Sequence, residues 1–329
     1  MFNYIAENPE YLLKYLITGG AGFIGSHLVD KILSEGSEVL VLDDLSTGKM
    51  KNIAHHENNK MFRFEKGTIL DYDLVNSLVE KSDVVFHLAA AVGVNLIVGE
   101  PFKSLQTNIT GSENVLKSCK ENGKKVLVTS TSEIYGKNTS NELGEEDDRI
   151  LGSPLKTRWS YSEAKAVEEI LAHLYWKEFG LPTIIVRLFN TVGPRQVGDY
   201  GMVVPRFITK ALSNQTIQVF GSGTQQRCFC HVSDVTNALF NLIKTPNAVG
   251  QVFNIGSKSE TTIMDLALRI IELTNSSSDI ELVDYSEAYE SGFEDMMRRR
   301  PNISKIKNYI NWEPTFGLDE IILDIVGKA

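Results

Sequence analysis

Short apolar runs recur along the first half of the chain, at Tyr15–Thr18, Glu38–Leu42, Met61–Glu65, Val84–Leu88, Val126–Thr129 and Thr183–Leu188. They are rich in Val, Ile, Leu and Phe and end at Gly, Asp, Ser or Lys, the signature of strands. Between them, Ser26–Glu35, Leu74–Glu80, Phe102–Asn122 and Ser162–Phe179 carry helical periodicity. Strand and helix alternating at this spacing predict an α/β fold, a doubly wound parallel sheet with helices on both faces.

The rhythm loosens after Leu188. Gly193, Pro194, Gly198, Gly201, Pro205, Gly221 and Gly223 punctuate a loop-rich stretch with one helix near Phe207–Ser213. Val232–Ile243 and a strand at Gln251–Ile255 restore the βα rhythm and could rejoin the sheet. A helix at Thr262–Leu273 and a short terminal helix follow. The expected division is a large domain over 12–188 plus 230–256, and a smaller discontinuous lobe over 189–229 plus 257–329. No internal repeat or low-complexity tract interrupts it.

Charge narrows the function. Against 33 Lys+Arg stand 42 Asp+Glu, a net −9, which disfavours nucleic acid or an anionic membrane as partner. No apolar run reaches the length of a membrane-spanning helix. The start, with Glu7, Pro9 and Glu10, lacks the basic and apolar regions of a signal peptide. Three cysteines cannot build a disulfide framework, so a reducing, cytoplasmic setting is expected.

The strongest local pattern is Tyr15-Leu-Ile-Thr-Gly19-Gly-Ala-Gly22-Phe-Ile-Gly25-Ser-His-Leu. A strand runs into three spaced glycines and directly into a helix. Glycine allows the tight turn and lets backbone N–H groups approach a pyrophosphate, towards which the helix directs its positive end. Glycine turns are common, but here a second strand follows and ends at Asp43, where a carboxylate accepts from the adenosine ribose hydroxyls. Asp44 stands next to it, with no arginine beside the pair to receive a 2′-phosphate. The expected cofactor is NAD rather than NADP.

Trp159-Ser-Tyr161-Ser-Glu-Ala-Lys165 opens a helix. Positions i and i+4 share a face, so phenol and ammonium can meet one ligand. A neighbouring Lys⁺ and a positive nicotinamide ring both favour the phenolate. The same spacing also occurs on plain solvated faces. Upstream, the strand Val126–Thr129 runs into Ser130-Thr131-Ser132-Glu133, at the strand end where α/β sheets bind ligands. Thr129 and Ser130 are expected to bond local backbone, leaving Thr131, Ser132 and Glu133 for a substrate.

With the glycine loop, His87-Leu-Ala-Ala, Asn108, Thr131, Tyr161/Lys165 and Arg187-Leu-Phe-Asn190, the chain resembles the extended short-chain dehydrogenase/reductases from about residue 12 onward. These enzymes modify the sugar of a nucleotide sugar with a tightly held NAD. Ser130-Thr131-Ser132-Glu133-Ile-Tyr-Gly, Arg158-Trp-Ser-Tyr161, Asn190-Thr-Val-Gly-Pro-Arg195 and Arg227-Cys-Phe look most like the UDP-glucuronate decarboxylases. The resemblance implies that Thr131, Ser132, Glu133, Tyr161, Lys165 and Arg299 are catalytic. It places the cofactor against Gly19, Gly22, Phe23, Ile24, Gly25, Asp43, Asp44, Ile69, Leu88, Ala89, Ala90, Asn108, Tyr161, Lys165 and Val192. The nucleotide sugar falls to Asn190, Val204, Arg227 and Arg299. A homodimer is also implied, through the Tyr161 helix and Phe102–Asn122. Thr68 stands where many relatives carry a carboxylate against the adenine, and His231 where many carry tyrosine.

The implied reaction is oxidation at C4 of a UDP-sugar, with Tyr161 as base, Lys165 lowering its pKa and Thr131 bonding the 4-oxygen. In UDP-glucuronate the new ketone makes C6 the carboxylate of a β-keto acid, which loses carbon dioxide readily. The product is UDP-xylose or the 4-keto pentose. Ser132 and Glu133 would orient C5, Glu133 would raise the energy of the charged ground state, and Arg299 would guide protonation. A 4-epimerase shares the oxidation, although its members usually carry a small residue in place of Glu133. The 4,6-dehydratases carry Asp-Glu in place of Ser132-Glu133. A non-catalytic NAD sensor would not need Tyr161 and Lys165.

Other features have plainer readings. Arg298 and Arg300 flank Arg299 as a solvated face. Strand alternation puts Arg227, Phe229 and His231 on one face and Cys228 and Cys230 on the other, towards the core. Cys-x-Cys-His lacks a second ligand pair for zinc, so no metal is expected. His55-His56 reads as exposed loop, His87 as a satisfied core histidine, and Leu174, Tyr175 and Trp176 as packing.

Overall fold

The computed structural model describes residues 12–91, 101–198, 202–284, 296 and 298–328. The extension before residue 12 and Gly201 lie outside them. Seven parallel strands form the main sheet: β1 (Lys14–Thr18), β2 (Glu38–Asp43), β3 (Phe62–Lys66), β4 (Val84–His87), β5 (Lys125–Thr131), β6 (Thr183–Leu188) and β11 (Val252–Ile255). Their order is β11-β6-β5-β4-β1-β2-β3. The chain therefore starts at the centre, winds to one edge through β2 and β3, and returns through β4 to the other. The switch lies between β1 and β4, where Thr18 pairs with His87 at the strand ends.

Strand alternation builds the two faces. Tyr15 and Ile17 of β1 and Leu127 of β5 enter one core with Leu28, Val29 and Ile32 of α1 (Phe23–Ser34) and Val235, Leu239 and Leu242 of α6 (Val232–Lys244). Leu16, Val126 and Val128 face the other way, against α2 (Tyr72–Glu80), α3 (Pro101–Glu121) and α4 (Ser160–Phe179), through Val75, Val115, Leu116 and Ala172. Each fully buried aliphatic side chain contributes about 1.5–3 kcal/mol, so inverting one strand's register would be severely destabilising.

The smaller lobe has its own core. Phe207 and Ile208 of α5 (Val203–Leu212), Leu266 and Ile270 of α7 (Ile263–Thr274), and Ile321, Ile322 and Ile325 of α9 (Leu318–Val326) pack together. Three small sheets frame it: β7 (Thr191–Val192) with β10 (Cys230–His231), β8 (Ile217–Phe220) with β13 (Ile280–Val283), and β12 (Glu260–Thr262), β9 (Gln226–Cys228) and β14 (Arg298–Arg299) in that order. These strands of two to four residues are too short for periodicity to register.

The 257–329 segment expected in the lobe is shared between the two cores. Ile303, Ile306 and Trp312, around α8 (Ser304–Ile310), join the large-domain core. Trp312 Nε1 donates to Asp234 O at 2.9 Å, while the Asp234 carboxylate accepts from Thr315 and Phe316 N–H groups.

Candidate active site

A cleft of about 760 Å³ runs from the glycine loop to the smaller lobe. Gly19 holds φ +75°, and a Cβ there would lie 2.8 Å from Ala89 N. A Cβ on Gly25 would lie 2.1 Å from Gly19 O, so α1 approaches the loop this closely only because residue 25 is glycine. The first turn of α1 has no acidic residue and no side-chain cap. Its N–H groups and positive end are thus suited to a pyrophosphate. The buried Asp43 carboxylate accepts from Ala21 N at 2.9 Å and Leu45 N at 2.8 Å. Burial raises its pKa, opposed by these N–H bonds. Asp43 therefore shapes the loop as well as lining the cleft, with the exposed Asp44 beside it.

At the far end of β5, Thr131 accepts from Glu133 N at 3.2 Å, and its hydroxyl faces the Tyr161 phenol. Tyr161 opens the buried stripe of α4. Burial and the charges of Glu168 and Glu133 raise its pKa, which the Thr131 hydroxyl opposes. One turn on, Lys165 Nζ donates to Thr129 O and to Glu168 Oε2, both at 2.8 Å. Tyr161, Lys165, Thr131 and Ser132 all line the cleft.

Glu133 does not stand as a lone carboxylate. Its Oε1 lies 2.7 Å from Arg299 Nη2 and its Oε2 lies 2.6 Å from Arg158 Nη2. Burial alone would raise its pKa, but the two guanidiniums hold it down to about 2. Arg299 Nη1 also donates to Ser132 Oγ at 3.2 Å. The expectation that Glu133 repels a substrate carboxylate is corrected accordingly: two cations and one anion leave the clamp net positive. Sequence reasoning gave Arg158 no role. A cation just before a helix N-terminus opposes the helix dipole unless a carboxylate pairs with it, and that signal could have found it.

Phe23, Ile24, Ile69, Leu88, Ala90, Asn190, Val192, Val204 and Arg227 line the cleft, as do Thr68 and Ser130. Asn108 instead braces its wall, accepting from Ala91 N at 2.8 Å and donating to Ala91 O. Thr129 bonds backbone, but across the sheet to His87 O of β4 rather than within its own turn. Ser130 also differs from the expectation of a local backbone bond, its buried Oγ having no partner among the described residues. The strand breaks at Phe229, and His231 stacks on Phe316 beyond it. It caps α6 through Ser233 N and bonds Asp324.

Arg298 and Arg300 are half-buried rather than solvated, both paired to Glu260. All three cysteines are buried thiols. His87 is buried between Thr18 and Ser112, and burial lowers its pKa to about 3. His55 and His56 are not free loop residues, since both bond Asp30 Oδ1 at 2.9 and 2.7 Å. Among the described residues, these three alone gather as a possible metal cluster. Arg195 occupies the other carboxylate oxygen at 2.7 Å, which opposes a cation there.

The fold and cleft define an NAD-dependent nucleotide-sugar enzyme of the short-chain dehydrogenase type. The chain belongs to the NAD dependent epimerase/dehydratase family, whose model matches residues 15–256. It is 40% identical to a UDP-N-acetyl-alpha-D-glucosaminuronate decarboxylase of Bacillus cytotoxicus, over 93% of this chain and 94% of that one. It is 37% identical to UDP-glucuronic acid decarboxylase 1 of Xenopus tropicalis, over 93% of this chain and 70% of the relative. Among solved structures, UDP-glucuronic acid 4-epimerase of Bacillus cereus, bound to UDP-glucuronic acid and NAD, superposes with TM-score 0.86 at 31% identity, covering 96% and 98% of the two chains.

Proposed function

We propose that the chain decarboxylates a UDP-hexuronate through transient oxidation at C4, with UDP-glucuronate the first candidate substrate. The observation that carries this reading is Glu133, held between Arg158 and Arg299 beside Tyr161. When bound, NAD would supply the acceptor and donor for the C4 hydrogen with its electron pair. The glycine loop and the start of α1 would hold its pyrophosphate, and Asp43 its adenosine ribose. Tyr161 removes the 4-hydroxyl proton, Thr131 bonds the 4-oxygen, and Lys165 favours the phenolate.

With a ketone at C4, the C5–C6 bond pair flows into an enolate as C6 departs as carbon dioxide. The net positive clamp attracts the C6 carboxylate. Glu133 retains part of both guanidinium charges, so the substrate carboxylate is never fully neutralised by pairing. Full pairing would resist departure as a neutral molecule. Arg299, held also by Ser132, guides reprotonation at C5 in this reading.

The Bacillus cytotoxicus relative supports a second reading, in which the uronate carries an N-acetyl group at C2. Incubating the protein and NAD separately with C6-labelled UDP-glucuronate and UDP-N-acetylglucosaminuronate tests both. Labelled carbon dioxide from either supports decarboxylation and identifies the C2 group. Label retained in an epimerised UDP-hexuronate makes the chain a 4-epimerase.

The exposed Phe102, Ile170 and Phe179 on α3 and α4 support a homodimer through those helices. No described helix is long and apolar enough to cross a membrane. Three buried, unpaired thiols fit a reducing, cytoplasmic setting.

A further inference from the structure

Glu168 is a fully buried carboxylate on the same stripe of α4 as Tyr161 and Lys165. Its Oε2 accepts from Lys165 Nζ at 2.8 Å, and its Oε1 lies 3.9 Å from His87 Nε2. The Ser112 hydroxyl of α3 faces the same carboxyl. Lys165 thus has two anchors, Thr129 O on β5 and Glu168 one turn along its own helix. Burial raises the Glu168 pKa, and the Lys165 and Ser112 contacts oppose that rise; held ionised by its pairing with Lys165, it cancels part of the charge by which Lys165 would favour a phenolate.

We propose that Glu168 is a positioning residue for the reaction: it fixes the Lys165 ammonium at the cleft wall that Tyr161 shares and, through its own charge, keeps Tyr161 a stronger base than Lys165 alone would leave it. This rests on Tyr161 acting as the base in the reading above. The charged or titratable groups facing Glu168 are Lys165, Glu169 and Tyr161 on α4 and His87 on β4, with Glu133 acting on Tyr161 from the cleft side. His87 is neutral at working pH, because burial holds its pKa near 3. The anion that offsets Lys165 is therefore Glu168.

The sign follows directly. An anion near a phenol disfavours its ionisation. Glu168→Gln keeps an oxygen to accept from Lys165 and removes the charge. The acid limb of the kcat profile, where Tyr161 must lose its proton, should move to lower pH by about one unit. KM for NAD should barely change. Glu168→Ala removes the anchor as well, and kcat should fall about tenfold or more even at the new optimum. Ser112→Ala keeps Glu168 but removes a hydroxyl that favours its ionised form, so the limb should move the same way by less.

The independent readout is the ¹³C-tyrosine NMR titration of the NAD-bound protein, with the Tyr161 signal assigned through Tyr161→Phe. It needs no substrate, and Glu168→Gln should lower the midpoint. A folded Glu168→Gln protein whose pH limb and Tyr161 midpoint both match the unmutated protein overturns the proposal. If Tyr161→Phe retains full turnover, the assignment of the base fails instead.

Discussion

Arg299 reaches from β14 in the smaller lobe to within 2.7 Å of Glu133, at the end of β5 in the large sheet. The clamp therefore joins the two lobes across the cleft, and a substrate at this point meets both. Glu133→Ala should release both guanidiniums to the C6 carboxylate. Substrate binding should hold or tighten, while kcat for carbon dioxide loss falls at least about tenfold. A variant that lost affinity and kept kcat would show Glu133 to be a plain binding residue.

The same clamp carries a pH signature. Folding lowers the Glu133 pKa from 4.5 to about 2. A depressed carboxylate contributes stability that is present above its unfolded value and lost as pH falls through the folded one. Thermal midpoints should thus decline between about pH 4.5 and 2. Glu133→Gln should flatten part of that decline and destabilise the protein at neutrality, because the buried Arg299 and the half-buried Arg158 lose their counter-charge. Parallel pH curves for the two proteins would contradict this.

Tyr161→Phe removes the phenolic oxygen and keeps the ring's packing. Turnover should drop below about a tenth of the unmutated rate, as expected for a lost general base, while NAD affinity stays within about twofold. Single-turnover formation of NADH measures the first, and calorimetric titration the second.

What could be read from the chain followed from how local each signal is. The strand–glycine–helix pattern at Tyr15–Leu28 is contiguous, so the phosphate loop was legible from one window, and the main sheet from the recurrence of apolar runs after it. Tyr161 and Lys165 lie one turn apart and were legible for the same reason. Arg158 and Arg299 were not legible as a pair. Their meeting at Glu133 depends on a two-residue strand, β14, aligned on β9 by Arg299 pairing with Arg227, and no periodicity announces so short an element. Glu168 was hidden for another reason: a carboxylate on a helix reads as solvated until the helix's buried face is known.

Gly25→Ala should disable the cofactor site without touching the chemistry. Its Cβ would lie 2.1 Å from Gly19 O and 2.8 Å from Gly20 Cα, both backbone atoms, so α1 must withdraw from β1. Overpacking of this kind costs about 1–3 kcal/mol. NAD affinity should fall more than tenfold, and the melting temperature by several degrees. Unchanged NAD binding would place the pyrophosphate elsewhere.

Cofactor choice turns on Asp43 and Asp44, which play separable parts. Both would face a 2′-phosphate, so NAD should bind far more tightly than NADP. Asp43→Ala removes one of the two charges, yet both Asp43 oxygens hold backbone N–H groups, from Ala21 and Leu45. Removing them leaves two donors without their acceptor, at about 1–3 kcal/mol each, so NAD affinity and stability should fall together. Asp44 is exposed and bonds only its neighbour Ser46 among the described contacts. Asp44→Arg replaces a repulsive charge with one that can pair with a phosphate. It should narrow the NAD-to-NADP ratio at least tenfold while leaving the melting temperature within a degree or two. Titration of both cofactors into the three proteins measures each ratio. Equal affinity of the unmutated protein for NAD and NADP, or an unmoved ratio in Asp44→Arg, would show that these carboxylates do not read the ribose.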